Sequence, residues 1–138
     1  DMPQRIKDYC AKTNQPVPET YGQIIRCALD GLALRYRATL EKLEAINGKK
    51  VDAFHIVGGG TQNKLLCQLT ADATGRKVIT GPIEATAAGN ILVQALGAGK
   101  VESLAEIREI IRRSFDMEEF TPNTSAKIES AYELFKTL

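Results

Sequence analysis

Apolar residues recur along this chain in two rhythms, and the place where one gives way to the other is its most informative stretch. Ile25, Leu29, Leu32, Tyr36, Leu40 and Leu43 follow at steps of three and four, the spacing that gathers side chains on one face of a long helix for burial. Thr20 and Gln23 stand before it at capping-box separation, and Asn47-Gly48 supplies a left-handed stop. Between Val51 and Val57 that periodicity vanishes into a short, mostly apolar run, which ends abruptly in Gly58, Gly59 and Gly60. A short apolar run bounded by glycine predicts a buried strand of a parallel sheet, covered on both faces.

Helical patterns occupy most of the remainder. Pro3 suits a first turn, Ile6, Tyr9, Cys10 and Thr13 share a face, and Asn14-Gln15-Pro16 ends that helix. A helix is expected directly after the glycines, from Thr61, with Leu65, Leu66, Leu69 and Ala73 inward and Gly75 as its stop. Arg76 to Thr80 reads as a second strand, and Gly81-Pro82 as a turn. From Glu84 the chain is helical again, with the small residues Ala85, Ala87, Ala88 and Gly89 in its first turns. Ser103 and Glu106 repeat the capping box before Leu104, Ile107, Ile110 and Ile111. Phe120 to Pro122 is a break, and a last helix uses Ile128, Ala131, Tyr132 and Phe135. Six helices thus accompany only two strands, too few parallel strands for an independent sheet. Further strands are expected upstream in a longer protein, and a first residue Asp1 in place of methionine agrees with that.

Composition narrows the function classes. With 138 residues and 43% hydrophobic content the chain is one ordinary domain. Its net charge is +1, and no basic run exceeds Lys49-Lys50 or Arg112-Arg113, so it carries no footprint for nucleic acid or an anionic membrane surface. No apolar run approaches the ~18 residues of a membrane span, and no signal peptide opens the chain, so a cytoplasmic setting is expected. Cys10, Cys27 and Cys67 match neither a disulfide framework nor a zinc site. They read as reduced core residues, with a bridge between Cys10 and Cys27 as the alternative. His55, the one histidine, stands mid-strand without ligand-spaced partners and reads as a core histidine.

The glycines carry the chemistry. At the carboxyl end of a parallel strand, residues without Cβ let a ligand approach backbone, and this is where ligands of open α/β sheets bind. The helix that follows presents free N–H groups and a positive dipole end to the same place. A nucleotide-binding turn is the reading. It is not the dinucleotide fingerprint, because Asn63 stands where the third glycine belongs and no acid follows near Thr80. Nor is Gly99-Lys100 a Walker A lysine, since Val101 replaces the Mg²⁺-binding hydroxyl and Gln94 the first glycine; Gly97 and Gly99 read as a helix stop. Asn123-Thr124-Ser125, which matches a glycosylation acceptor, reads as a polar helix start.

HIVGGGTQNKLLCQLTADATG, then GPIEATAAGN, then FTP, in this order and at these separations, resembles the carboxyl-terminal part of the FGGY family of carbohydrate kinases. The resemblance extends over essentially the whole chain and is greatest to members whose sugar is L-rhamnulose. It implies a helix-rich α/β part of an actin-like ATPase (ribonuclease H-like) domain, residues 1–138 forming the nucleotide-binding portion of a two-domain kinase. It implies ATP and Mg²⁺ as cofactors, with the sugar and the catalytic aspartate held mainly by another domain. The family's adenosine-binding turn falls on Gly58, Gly59 and Gly60, with Gly59 against the nucleotide, and its adenine-side asparagine on Asn63. Glu84 and Thr86 match a segment expected to shape the domain. No acid here matches the family's catalytic motif, so negligible activity is expected of this chain alone. A nucleotide-binding module of another actin-like ATPase and a purely structural or association domain remain the alternatives.

Overall fold

The computed structural model describes residues 1–138. Helices α1 (Met2–Lys12) and α2 (Tyr21–Asn47) come first, followed by strand β1 (Ala53–Ile56), a 3-10 turn (Gly58–Gln62), α3 (Lys64–Thr74) and β2 (Lys77–Thr80). Then come α4 (Ala85–Gly97), α5 (Leu104–Ser114), β3 (Glu119–Phe120) and α6 (Ala126–Thr137).

Local chemistry sets the helix limits. At α2 the Thr20 hydroxyl accepts the Gln23 N–H at 3.2 Å while the Gln23 side chain accepts the Thr20 N–H at 3.0 Å, a complete capping box. Gly48 closes the other end in the left-handed region at φ 66°, its N–H on the Glu44 carbonyl at 2.9 Å. Only a residue without Cβ adopts that conformation freely. Ser103 and Ser125 cap α5 and α6 in the same way, by accepting the N–H three residues on.

The sheet has three strands in the order β1-β2-β3, one more than expected. β1 and β2 are parallel, with Phe54 opposite Val78 and Ile56 opposite Thr80, and β3 runs antiparallel with Phe120 opposite Val78. A two-residue strand is too short to show alternation in sequence. Its register comes from Thr80, whose N–H donates to the Glu118 carbonyl at 2.9 Å and whose hydroxyl accepts the Glu118 N–H at 2.8 Å. Val78, Cys67 and Ala71 are wholly buried where α3 crosses the sheet, and Phe54, Ile56 and Phe120 pack around them.

Four expectations about burial change, the first at Leu65, expected inward on α3 but 47% exposed. The run Val51–Val57 shortens to a four-residue edge strand, Ala53–Ile56, that is partly exposed. His55 is therefore at the surface and not in the core, because it alternates with the inward Phe54 and Ile56 on a strand covered on one side only. Along α2 the buried residues are Ile24, Ala33, Leu40 and Glu44, while Ile25, Leu32 and Leu43 are 59%, 39% and 50% exposed. The apolar stripe is wider than the surface that α1, α3 and α6 offer it. Tyr36, on that stripe, reaches β1 by stacking on Phe54 at 5.8 Å.

Two charged clusters fasten this scaffold. The Arg37 guanidinium grips Glu129 of α6 with two hydrogen bonds, 2.8 and 2.9 Å, and lies 4.0 Å over the Tyr132 ring. The Tyr132 hydroxyl donates to Glu41 at 2.6 Å. Burial, then the neighbouring Glu41 carboxylate, pushes the Tyr132 phenol up to about 12. At the end of α2 the buried Glu44 accepts from Lys50 at 2.8 Å, the Val51 N–H at 2.9 Å and Arg76 at 3.2 Å. These bonds, that of Lys50 foremost, pull its carboxyl down to about 2. Glu44 thereby ties α2 to the residues that lead into β1 and β2. The three cysteines are free thiols; burial, followed by the adjacent Cys10, raises the Cys27 thiol.

Candidate functional site

The site is assembled where β1 and β2 end. Val57 is still extended, and Gly58 then turns at φ 80°, a left-handed conformation that strains any other residue. Gly58 donates its N–H to the Pro82 carbonyl at 3.0 Å, and Gly81 donates its own to the Ile56 carbonyl at 2.8 Å. These two bonds lock the strand ends side by side. The turn closes on itself through the Thr61 hydroxyl to the Gly58 carbonyl, 2.8 Å, and the Asn63 N–H to the Gly60 carbonyl, 3.2 Å. Beneath it the buried Cys67 thiol lies 3.9 Å from the Gly60 oxygen.

Gly59 and Gly60 face outward. A Cβ on Gly59 would meet nothing within 4 Å, and one on Gly60 only Ile56 Cγ2 at 3.6 Å. The three glycines thus present a strip of bare backbone, with no ionisable side chain from Gly58 to Asn63.

Helix α3 does not start at Thr61 as the sequence pattern implies. The glycines wind a 3-10 turn first, and α3 begins at Lys64 with Asn63 as its N-cap. The Asn63 side-chain oxygen accepts the Leu66 N–H at 3.0 Å, which leaves the amide NH2 of this exposed residue facing out. The first turn of α3, with its positive dipole end, follows the glycine turn directly. Lys64 pairs with Glu118 at 2.7 Å across this end of the sheet, both side chains largely exposed. Bare backbone and an amide NH2 are groups able to hydrogen-bond to a ligand here.

The structure brings Gly58, Gly59, Gly60 and Asn63 together on one turn. Glu84 and Thr86 lie further on, at the start of α4. Glu84 is exposed and lacks a side-chain cap bond, and Thr86 lines an open groove with Ala85, Gly89 and Asn90. A second cavity, of about 330 Å³, lies between α2, α3 and α6, away from the glycines. Sequence reasoning missed the N-cap role of Asn63 and the Gly81 contact; a polar cap residue and a Gly-Pro step after a strand were the signals.

The model of the FGGY family of carbohydrate kinases, C-terminal domain, matches residues 1–98, from α1 through α4. The chain belongs to the FGGY family of carbohydrate kinases. This FGGY chain is 46% identical over 136 residues to a rhamnulokinase of Bacteroides thetaiotaomicron, which covers 99% of the chain and 28% of that protein. It is 43% identical over 122 residues to a rhamnulokinase of Bacillus subtilis, covering 88% of the chain and 25% of that protein. It therefore spans about a quarter of the length of these curated relatives. Among solved structures, Plasmodium falciparum glycerol kinase with ADP superposes with a TM-score of 0.71 at 21% identity, over 86% of this chain and 24% of that one. Xylulose kinase from Rhodospirillum rubrum superposes at 0.64 and 22% identity, over 88% and 24%. The fold of the FGGY chain is accordingly a helix-rich part of the actin-like ATPase fold, with a small mixed sheet.

Proposed function

We propose that this FGGY chain is the ATP-binding part of a kinase that transfers the γ-phosphate of MgATP to L-rhamnulose, giving L-rhamnulose 1-phosphate and ADP. The observation that carries the nucleotide assignment is the open backbone at Gly59, at the carboxyl end of a parallel strand and beside a helix start. Two relatives named rhamnulokinase, aligned over 99% and 88% of the chain, support the choice of sugar.

In this reading Gly58 and Gly60 shape the turn, Gly59 lies against adenosine, and the Asn63 amide donates toward adenine. The C1 hydroxyl of the sugar attacks the γ-phosphorus, a carboxylate outside this chain takes the proton, and ADP leaves. Mg²⁺ enters with the nucleotide as MgATP; no three His, Cys, Asp or Glu side chains of this chain converge to cage an ion. The chain's own part is positioning, which converts an encounter into a near-attack geometry. The setting is the cytoplasm, and no helix is long and apolar enough to cross a membrane.

Gly59→Val in the full-length enzyme tests the site. The new side chain meets no protein atom within 4 Å at its Cβ, so the fold is kept while the nucleotide volume is filled. ATP binding by calorimetry should vanish with the circular dichroism spectrum unchanged; undiminished affinity would remove the glycine turn from the nucleotide site. Turnover of another ketose, with none of L-rhamnulose, would overturn the sugar and leave the ATP site standing.

A second reading concerns this domain by itself. Ile25 on α2 and Ile91 and Val93 on α4 are 59%, 65% and 57% exposed, and we propose that such uncovered apolar side chains promote self-association of the isolated chain. Light scattering of the separate domain distinguishes that behaviour from a monomer.

A further inference from the structure

The segment that follows β2 is wedged against the glycine turn more tightly than any other glycine-bearing part of the chain. A Cβ built on Gly81 falls 2.8 Å from Val57 Cγ1, closer than real carbon contacts allow, and 3.8 Å from the Ile56 carbonyl oxygen. On the other side, a Cβ on Gly58 would lie 3.9 Å from the Ile83 carbonyl oxygen. Between these contacts run the bonds Gly81 N–H to Ile56 and Gly58 N–H to Pro82, at 2.8 and 3.0 Å.

We infer that Gly81 is a positioning residue for nucleotide binding: its missing side chain lets the Gly81–Ile83 strap seat against Val57 and thereby set the backbone of Gly58 and Gly59. This deepens, and rests on, the assignment of ATP to the glycine turn.

The argument is mechanical. Val57 is β-branched and extended, at φ −129° and ψ 162°, so its choice of χ1 rotamers is small. A methyl group added at position 81 must move either the strap or Val57. Gly58 is bonded to both, as the next residue after Val57 and as donor to Pro82. Either displacement therefore reaches the turn. Gly81 itself lies outside the left-handed region, so alanine there meets no backbone penalty and the collision with Val57 is the perturbation.

Because the obstacle is one named side chain, a double-mutant cycle reads it directly. Full-length Gly81→Ala, Val57→Ala and the double variant are compared for ATP and for L-rhamnulose affinity by calorimetry, with Gly59→Val as reference. Gly81→Ala should bind ATP more weakly, by about tenfold where the strain of one overpacked methyl group falls on the bound state. Sugar affinity should hold. The double variant should bind ATP as Val57→Ala does, since the colliding methyl is gone, and this comparison decides the matter if Gly81→Ala alone does not fold. Weak ATP binding that Val57→Ala fails to relieve would overturn the inference, as would an equal loss of sugar affinity. If Gly59→Val abolishes ATP binding and Gly81→Ala leaves it intact, the positioning role falls while the nucleotide turn stands. If Gly59→Val also binds ATP normally, the nucleotide turn itself falls.

Discussion

Asn63 does two jobs with two ends of one amide, and substitutions that separate them give a sharp test of the site. Its oxygen caps α3 by accepting the Leu66 N–H at 3.0 Å, while the NH2 group faces outward beside the glycine backbone. Asn63→Ala removes both. Loss of an N-cap costs about 1 kcal/mol of stability. In a domain of this size that is a fall of roughly 4 °C in melting temperature. Loss of one hydrogen bond to adenine should weaken ATP by about 1 kcal/mol, or about fivefold. The two effects are of equal size, so alanine alone leaves a destabilised helix and a lost contact entangled. Asn63→Asp resolves them, because it keeps the acceptor and adds negative charge at a helix N-terminus, worth roughly 0.3–1 kcal/mol. It has no NH2 to donate. Asn63→Ser is the uncharged control. Thermal denaturation followed by circular dichroism should place aspartate and serine near or above the wild type and alanine below it. Calorimetry of the full-length enzyme should show all three weakened for ATP and unchanged for sugar. Wild-type ATP affinity in both the aspartate and the serine variants would refute the amide contact. An alanine variant with an unchanged melting temperature would refute the cap.

Further outcomes follow from the charged clusters. The Glu44 carboxyl is held at about 2 in the fold against an ordinary 4.5, chiefly by Lys50 and the Val51 N–H. A group depressed on folding stabilises above its ordinary value and loses that contribution as pH falls through the folded value. Melting temperature should therefore drop between pH 4.5 and about 2 more steeply for the wild type than for Glu44→Gln; parallel curves would dismiss Glu44 as the origin. Tyr132→Phe deletes the 2.6 Å bond to Glu41 from a residue only 3% exposed. Glu41 is half-exposed, so the loss should sit near the lower end for a bond to a charged group, about 1.5 kcal/mol by urea denaturation. An unchanged midpoint would show that α6 is not fastened to α2 through this hydroxyl.

Much of this protein is written locally. The capping box at Thr20 and Gln23, the left-handed Gly48 and Gly75, and the serine caps at Ser103 and Ser125 each depend on residues within one turn, so the sequence alone determined where most helices begin and end. The glycine run and its ordered neighbour GPIEAT, both inside the residues the family model matches, likewise pointed to the family without any knowledge of contacts. Burial was another matter. Ile25, Leu32 and Leu43 look like core on a helical wheel, yet the elements of this chain that pack on α2 leave them exposed. His55 looked internal, yet within this chain β1 lies at the edge of the sheet and His55 is exposed. The two-residue β3 exists because Thr80 captures Glu118, 38 residues away in sequence, and the fit of Gly81 against Val57 joins the ends of two separate strands. Periodicity records what one element can bury or cap by itself. Which faces meet, and which glycine must stay bare to let them, is decided by atoms that come together only when the chain is folded.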